Sequence, residues 1–353
     1  MRVLFPLAWA LPFLVACGGP STGSKPPATS AASATPGIAP AARPELSSEE
    51  LATQERLGQS LQHLSTKIGE RNPHKPWELA DAADYFAAEL EALGYGIQRQ
   101  GYESGEVVAH NLIATAPGGA AGEQIILVAA HYDSPAGDAG RNAGGSGALA
   151  VLELARAFAK TQQSRTLRFC LFGLGESPHG DGAARGSRVY GESLQKVRQL
   201  AEAELARDAE AKASGALPAS LPEPAVDRSR VVAVILLDRL LQLDHAVAGG
   251  SEHVVVRLSS GPGADAYVGA LADALSAPPL VVERSRLDPA APESDATFWL
   301  GQKVPVVLVH GRPAPATSAT ADDLDALTRI VFGVRAALRD AAGAEAASDP
   351  YLQ

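Results

Sequence analysis

Ile125-Ile126-Leu127-Val128-Ala129-Ala130 runs directly into His131-Tyr132-Asp133-Ser134. An unbroken apolar run of this length reads as a strand buried on both faces, as in a parallel sheet covered by helices. Similar β-rich runs occur at Val107–Thr115, Thr166–Phe172, Val231–Leu237, Val254–Leu258 and Val304–Val309. Helical spacing of apolar residues lies between and before them. Leu79, Ala82, Ala83, Phe86, Ala87, Leu90 and Leu93 share one helical face, and Gly94 ends it. Ala148–Phe158, Ala264–Leu275 and Asp322–Arg339 also read as helices. Ser47-Ser48-Glu49-Glu50, a capping hydroxyl followed by acids, opens another that runs over Leu51–Ile68. Strands alternating with helices predict an α/β fold: a three-layer sandwich with a mixed, largely parallel central sheet flanked by helices.

Working outward, the 353 residues exceed what this domain needs. Met1 and Arg2 precede an apolar run, Val3–Ala16, too short to span a bilayer and suited to the core of a secretory signal. It ends Leu14-Val15-Ala16-Cys17-Gly18, which resembles the bacterial lipobox, where cleavage precedes a cysteine that is lipidated. The alternative is an ordinary signal cleaved nearby, with Cys17 incidental. Gly18–Pro44 is Gly, Pro, Ser, Thr and Ala with little else, a composition that buries too little to order itself. The expected layout is a signal peptide at 1–16, lipidated Cys17 and a tether at 17–44, one domain at 45–345, and a tail at 346–353. Within the domain, Gln195–Ala213 is rich in Ala, Glu and Arg and predicts an exposed helix. The prolines up to Pro224 predict a loop, so 195–224 reads as an inserted excursion. The expected location is the bacterial cell envelope, with lipid holding the protein at a membrane.

Hydrophobic residues make up 46% of the chain and charged residues 20%, which excludes global disorder. Forty acids against 30 bases give a net charge of -10, so no general footprint for nucleic acid exists. Two cysteines, Cys17 and Cys170, exclude a disulfide scaffold or a cysteine-rich zinc site. Cys170 lies inside an expected strand and reads as core.

In open α/β sheets ligands bind beyond the carboxyl ends of the strands. His131 and Asp133 follow one strand, Glu176 follows another after Gly173-Leu174-Gly175, and Asp238 follows a third. Histidine and carboxylates are zinc ligands, and Asp133 is placed to orient His131. The competing reading makes them hydrogen-bonded groups that close loops.

Further motifs occur in a fixed order. They are Lys67-Ile68-Gly69-Glu70-Arg71, Ala82-Ala83-Asp84-Tyr85-Phe86, Leu93-Gly94-Tyr95, Asn111-Leu112-Ile113-Ala114 and His131-Tyr132-Asp133-Ser134. Ser146-Gly147 then precedes Leu152-Glu153-Leu154-Ala155-Arg156, followed by Gly186-Ser187-Arg188-Val189-Tyr190, Ser294-Asp295 with Phe298-Trp299, and Val304-Pro305-Val306. From about Leu51 to about Leu338 this order resembles the peptidase-family-28 zinc aminopeptidases, whose fold glutaminyl cyclases share. The resemblance implies two zinc ions held by a His, a bridging Asp, a Glu, a further acid and a last His, with a second Glu as general base. His131, Glu176 and Asp238 match ligand positions. The bridging position is Ala143, the base position is Gly175, and no histidine stands near Pro315 or at Ala296. Substitute ligands in reach by sequence are Asp138, His179 and His310. The resemblance therefore implies a metallopeptidase-like domain with an eroded zinc site, impaired in catalysis and binding a peptide or protein partner. The alternatives are an active aminopeptidase or amidohydrolase with shifted ligands, and a non-catalytic envelope scaffold.

Overall fold

A computed structural model describes residues 44–179, 182–214, 230–248, 251–290, 294–311 and 321–343. The signal sequence, Cys17 and the tether up to Arg43 lie outside the described residues. So do the proline loop at 215–224, the segment around Pro315 and the tail.

The helices are α1 (Ser48–His63), α2 (Pro76–Ala92), α3 (Gly147–Phe158), α4 (Gly186–Ala213), α5 (Asp265–Leu275), α6 (Asp295–Gly301) and α7 (Ala321–Ala342). The strands are β1 (Ile97–Ser104), β2 (Val107–Ala116), β3 (Ala121–His131), β4 (Arg165–Phe172), β5 (Arg230–Asp238), β6 (Asp244–Ala248), β7 (Ser251–Ser260), β8 (Leu280–Arg286) and β9 (Val306–His310). They form one sheet in the order β1-β2-β4-β3-β5-β9-β7-β6, with β8 also paired to β7. The centre, β4-β3-β5-β9, is parallel, and the flanking β1-β2, β2-β4, β7-β9 and β6-β7 pairs are antiparallel. The expected α/β sandwich is therefore the fold observed.

The quoted run behaves as its composition requires. Ile126, Val128 and Ala130 pack on one face with α1, α2, α3, α5 and α7. Leu127 and Ala129 pack on the other with Tyr190 of α4 and Phe298 and Trp299 of α6. Cys170 is fully buried in this second layer, and burial pushes its thiol up to about 12, as suits a core residue.

Three strands and α6 escape the sequence reading. β1 mixes half-buried with exposed residues, β8 is exposed over most of its length, and both carry charges, so neither gives a long apolar run. β6 has only five residues and α6 only seven. The helix expected from Gln195 begins at Gly186, so residues 195–213 are the outer part of α4, continuous with a segment that packs through Tyr190 and Gly191.

Candidate functional site

β3, β4 and β5 run in parallel, so their carboxyl ends meet at one edge and bring His131, Glu176 and Asp238 together. His131 ends β3 and is buried, as is Glu176, while Asp133 is fully enclosed. Imidazole Nδ1 lies 3.2 Å from Asp133 Oδ1. Nε2 faces Asp238 Oδ1 at 3.4 Å and Glu176 Oε1 at 3.5 Å.

Asp133 organises the loop after β4. Its two carboxylate oxygens accept from the backbone N–H of Gly175, at 2.7 Å, and of Glu176, at 3.0 Å. Arg71 organises the loop after β3. Its buried guanidinium donates to the carbonyls of Tyr132, Gly69, Ala139 and Gly140. Burial lowers its pKa to about 10, against the pull of Asp133 and Asp138, so it stays charged at neutral pH.

Sequence reasoning missed Arg239. Its Nη2 donates to both oxygens of Glu176, at 2.7 and 2.9 Å, and its Nε lies 3.5 Å from Asp238 Oδ2. Its φ of 51° is in the left-handed region, which is unfavourable for a residue with a Cβ. The turn is held by side chains from another part of the fold. Ser146 Oγ accepts from Leu240 N at 2.8 Å, and Asn142 Oδ1 accepts from Leu241 N at 2.9 Å. A basic residue directly after a ligand-like carboxylate was the only sequence signal available.

The electrostatics follow from this arrangement. Burial opposes protonation of His131, but hydrogen bonds to Asp133 and Asp238 outweigh it and hold its pKa well above the ordinary value. Burial opposes ionisation of Asp133 and of Asp238, and the bond each makes with His131 lowers both nonetheless. Burial raises Glu176 despite His131 and Arg239. The site thus holds two internal cations among three carboxylates.

These donors were tested against the zinc that the fold implies. Both oxygens of Glu176 are engaged by Arg239. Ala143 is buried and supplies no oxygen. Among the described residues no group of three or more His, Cys, Asp or Glu is disposed to hold a metal ion. The donor set as placed does not fit zinc.

The expected substitutes are engaged elsewhere. Asp138 Oδ1 accepts from Gly140 N at 2.7 Å, closing its own loop. The His179 ring meets the edge of His74 at 4.7 Å. His310 pairs in register with Asp238, but its Nε2 is 2.9 Å from Ser259 Oγ and its Nδ1 is 2.9 Å from the Gly311 carbonyl. Gly175 has a steric basis as well as a chemical consequence: a Cβ there would lie 2.4 Å from His131 Cβ.

A cleft of about 220 Å³ opens onto these groups, lined by His131, Glu176, Arg185, Asp238, Arg239 and Asp295 among others. Asp295, which sequence reasoning quoted only as a motif, accepts from Ser187 Oγ at 2.6 Å and pairs with Arg185 at 3.4 Å. A larger groove of about 670 Å³ lies elsewhere, between Tyr95, Pro117, Phe158 and Gln163. Among the described residues its lining has hydroxyls but no His, Cys, Lys, Arg, Asp or Glu to activate them, so the smaller cleft is the candidate site. Chemically the cleft can hydrogen-bond and neutralise a polar ligand, but it lacks a base beside Glu176.

The sequence profile of peptidase family M28 matches residues 111–329, more than half of the chain. A curated relative, leupeptin-inactivating enzyme 1 of Streptomyces exfoliatus, is 30% identical over 171 residues, 48% of this chain and 36% of that enzyme. The chain thus spans about a third of that relative's length. Among solved structures, the Legionella pneumophila LapA aminopeptidase superimposes with a TM-score of 0.56 at 17% identity, covering 84% of this chain and 76% of that one. Fimbriiglobus ruber glutaminyl cyclase does so with a TM-score of 0.53 at 21% identity, covering 81% and 94%. Both share its fold, and the sequence match across the central strands and their loops identifies this chain as a member of peptidase family M28.

Proposed function

We propose that this chain is a lipid-anchored bacterial envelope protein whose M28 domain binds a peptide or protein partner in the His131–Asp238 cleft and hydrolyses it poorly or not at all. The observation that carries this reading is the ion pair between Arg239 and both oxygens of Glu176. A guanidinium there satisfies the carboxylates that a metal would otherwise need to neutralise. Ala143 and Gly175 support the same reading, since one offers no bridging ligand and the other no general base, a group worth roughly 10²–10⁴-fold in rate. Asp238 is the most open of the three carboxylates, with its side chain 29% exposed against 9% for Glu176 and 0% for Asp133. It is the group best placed to meet a bound amine or amide.

The test is metal analysis of the purified protein together with turnover of a panel of aminoacyl amides, with and without added Zn²⁺. Well under one zinc per chain and turnover at the buffer level are expected, with dipeptide binding by calorimetry weakened in Asp238→Asn. Stoichiometric, tightly held zinc with turnover abolished in His131→Ala would overturn the reading.

A further inference from the structure

A row of polar side chains crosses β9, β7 and β8 beside the cleft. In register, Asp238 of β5 stands next to His310 of β9, and Ser259 of β7 next to Ser285 of β8. Leu308 of β9 is the partner of Ser259 in β7, so His310, two residues on, shares the face of both serines. Ser259 is buried and Ser285 is exposed.

The hydrogen bonds along this row have one consistent direction. His310 Nδ1 lies 2.9 Å from the Gly311 carbonyl, which only accepts, so Nδ1 carries the proton. Burial pushes the imidazole pKa below its ordinary value, so at neutral pH Nε2 keeps its lone pair. Nε2 then accepts from Ser259 Oγ, at 2.9 Å. With its own proton directed at His310, Ser259 Oγ accepts from Ser285 Oγ, at 2.8 Å. Ser259 alone would satisfy His310. Ser285 extends the chain to the surface, so an exposed hydroxyl has a proton route to a half-buried base.

The sheet edge supplies a further donor. Among the described residues β8 pairs only with β7. Leu287 N donates to the Ser260 carbonyl on that side, so by alternation the Arg286 N–H faces the open edge. The residue after Ser285 thus offers a backbone N–H to an oxyanion.

We infer that Ser285, Ser259 and His310 form a serine nucleophile centre for small, activated carboxylic esters, a second activity that does not depend on what the cleft binds or hydrolyses. Ser285 Oγ attacks the ester carbonyl carbon as its proton passes to Ser259 Oγ and the Ser259 proton passes to His310 Nε2. The bond to the leaving oxygen breaks, and the alkoxide takes a proton back by the same route. Water repeats the sequence on acyl-Ser285 and restores the hydroxyl. One ester and one water become one acid and one alcohol. Ser285 is the nucleophile, and the other two act through it.

A fluorophosphonate tests this on the whole protein, since an activated serine displaces its fluoride and keeps the phosphonyl group. Intact-mass analysis should show one adduct per chain, mapped to Ser285 by peptide mass spectrometry and unchanged by EDTA. An aryl acetate should release its phenol in a burst. Ser285→Ala, at an exposed position, should remove adduct and burst together. Ser259→Ala and His310→Gln keep Ser285 but break the relay, and should slow labelling about 10²-fold or more. Ser259→Thr, which keeps the hydroxyl, should retain most of the rate, an outcome that a merely structural role for Ser259 would not require. No adduct under conditions that fully label a known serine hydrolase would overturn the proposal. So would an adduct on another residue, or labelling of Ser285 at the parent rate in whichever of Ser259→Ala and His310→Gln folds.

Discussion

A Cβ at residue 175 would lie 2.4 Å from His131 Cβ and 2.5 Å from its Cγ. These are backbone-proximal atoms of a buried ring, not the far end of a flexible chain, so they cannot yield cheaply. Gly175→Ala should therefore destabilise the protein by about 1–3 kcal/mol in urea denaturation, as for an overpacked core. Gly175→Glu, which restores the family's residue type, should lower the midpoint at least as much and yield no gain in aminoacyl-amide turnover. A stable, active Gly175→Glu variant would show that the His131 ring gives way. Arg239 invites the opposite experiment. Arg239→Ala leaves the Glu176 carboxylate buried without its main partner, a loss of about 1–3 kcal/mol after allowing for the partial exposure of the arginine. It also frees both Glu176 oxygens beside His131 and Asp238. Thermal melts should then show a rise of about 2–4 °C with added Zn²⁺ in the variant and none in the parent. A parent that responds to zinc as strongly would mean that the arginine yields to metal. His131, Glu176 and Asp238 were legible because each follows an apolar run that names its strand. Arg239 was not, because nothing in Leu237-Asp238-Arg239-Leu240 marks a left-handed residue that is not glycine.

The strands fix where the site is, and the side chains that bind loop backbone fix how it is shaped. Asp133 holds the loop after β4, Arg71 the loop after β3, and Asn142 with Ser146 the turn after β5. Asn142 serves as an acceptor: its Oδ1 takes Leu241 N at 2.9 Å and Gln242 N at 3.3 Å, while its Nδ2 has no partner among the described residues. Asn142→Ala should therefore strand buried N–H groups and lower stability by about 2 kcal/mol in urea denaturation. Because that turn carries Arg239, the variant should also loosen the Arg239–Glu176 pair and respond to Zn²⁺ in the same direction as Arg239→Ala. An Asn142→Ala protein as stable as its parent would mean that water replaces the amide. The central strands were readable because burial on both faces leaves long apolar runs inside them, Ile125–Ala130 in β3, Phe169–Phe172 in β4 and Val231–Leu237 in β5. The outer strands are mostly half-buried or exposed, so β1 reads Gln98-Arg99-Gln100 and β8 ends Glu283-Arg284-Ser285-Arg286, patterns that a solvated loop shares.

At the scale of the molecule, the question is what would hold an acidic protein at a membrane. A net charge of -10 gives no attraction to anionic headgroups. Among the described residues no helix is long and apolar enough to cross a bilayer. The apolar run Val3–Ala16 has too few residues to span one, for which about 20 are needed. The proposed anchor is covalent lipid on Cys17, and stable anchoring by that route needs more than one acyl chain. Expression of the full chain in a bacterial host should place it in the membrane fraction, resistant to high salt and released by detergent. Cys17→Ala should move it to the soluble fraction, or leave it as an unprocessed precursor of higher mass, with the urea midpoint of the processed or solubilised domain unchanged. If Cys17→Ala stays with the membrane at the processed mass, lipid on that cysteine is not the anchor, and the reading of 1–17 as a lipoprotein signal fails. The M28 domain, whose sheet and cleft are built from residues beyond 44, would stand unaffected by that result.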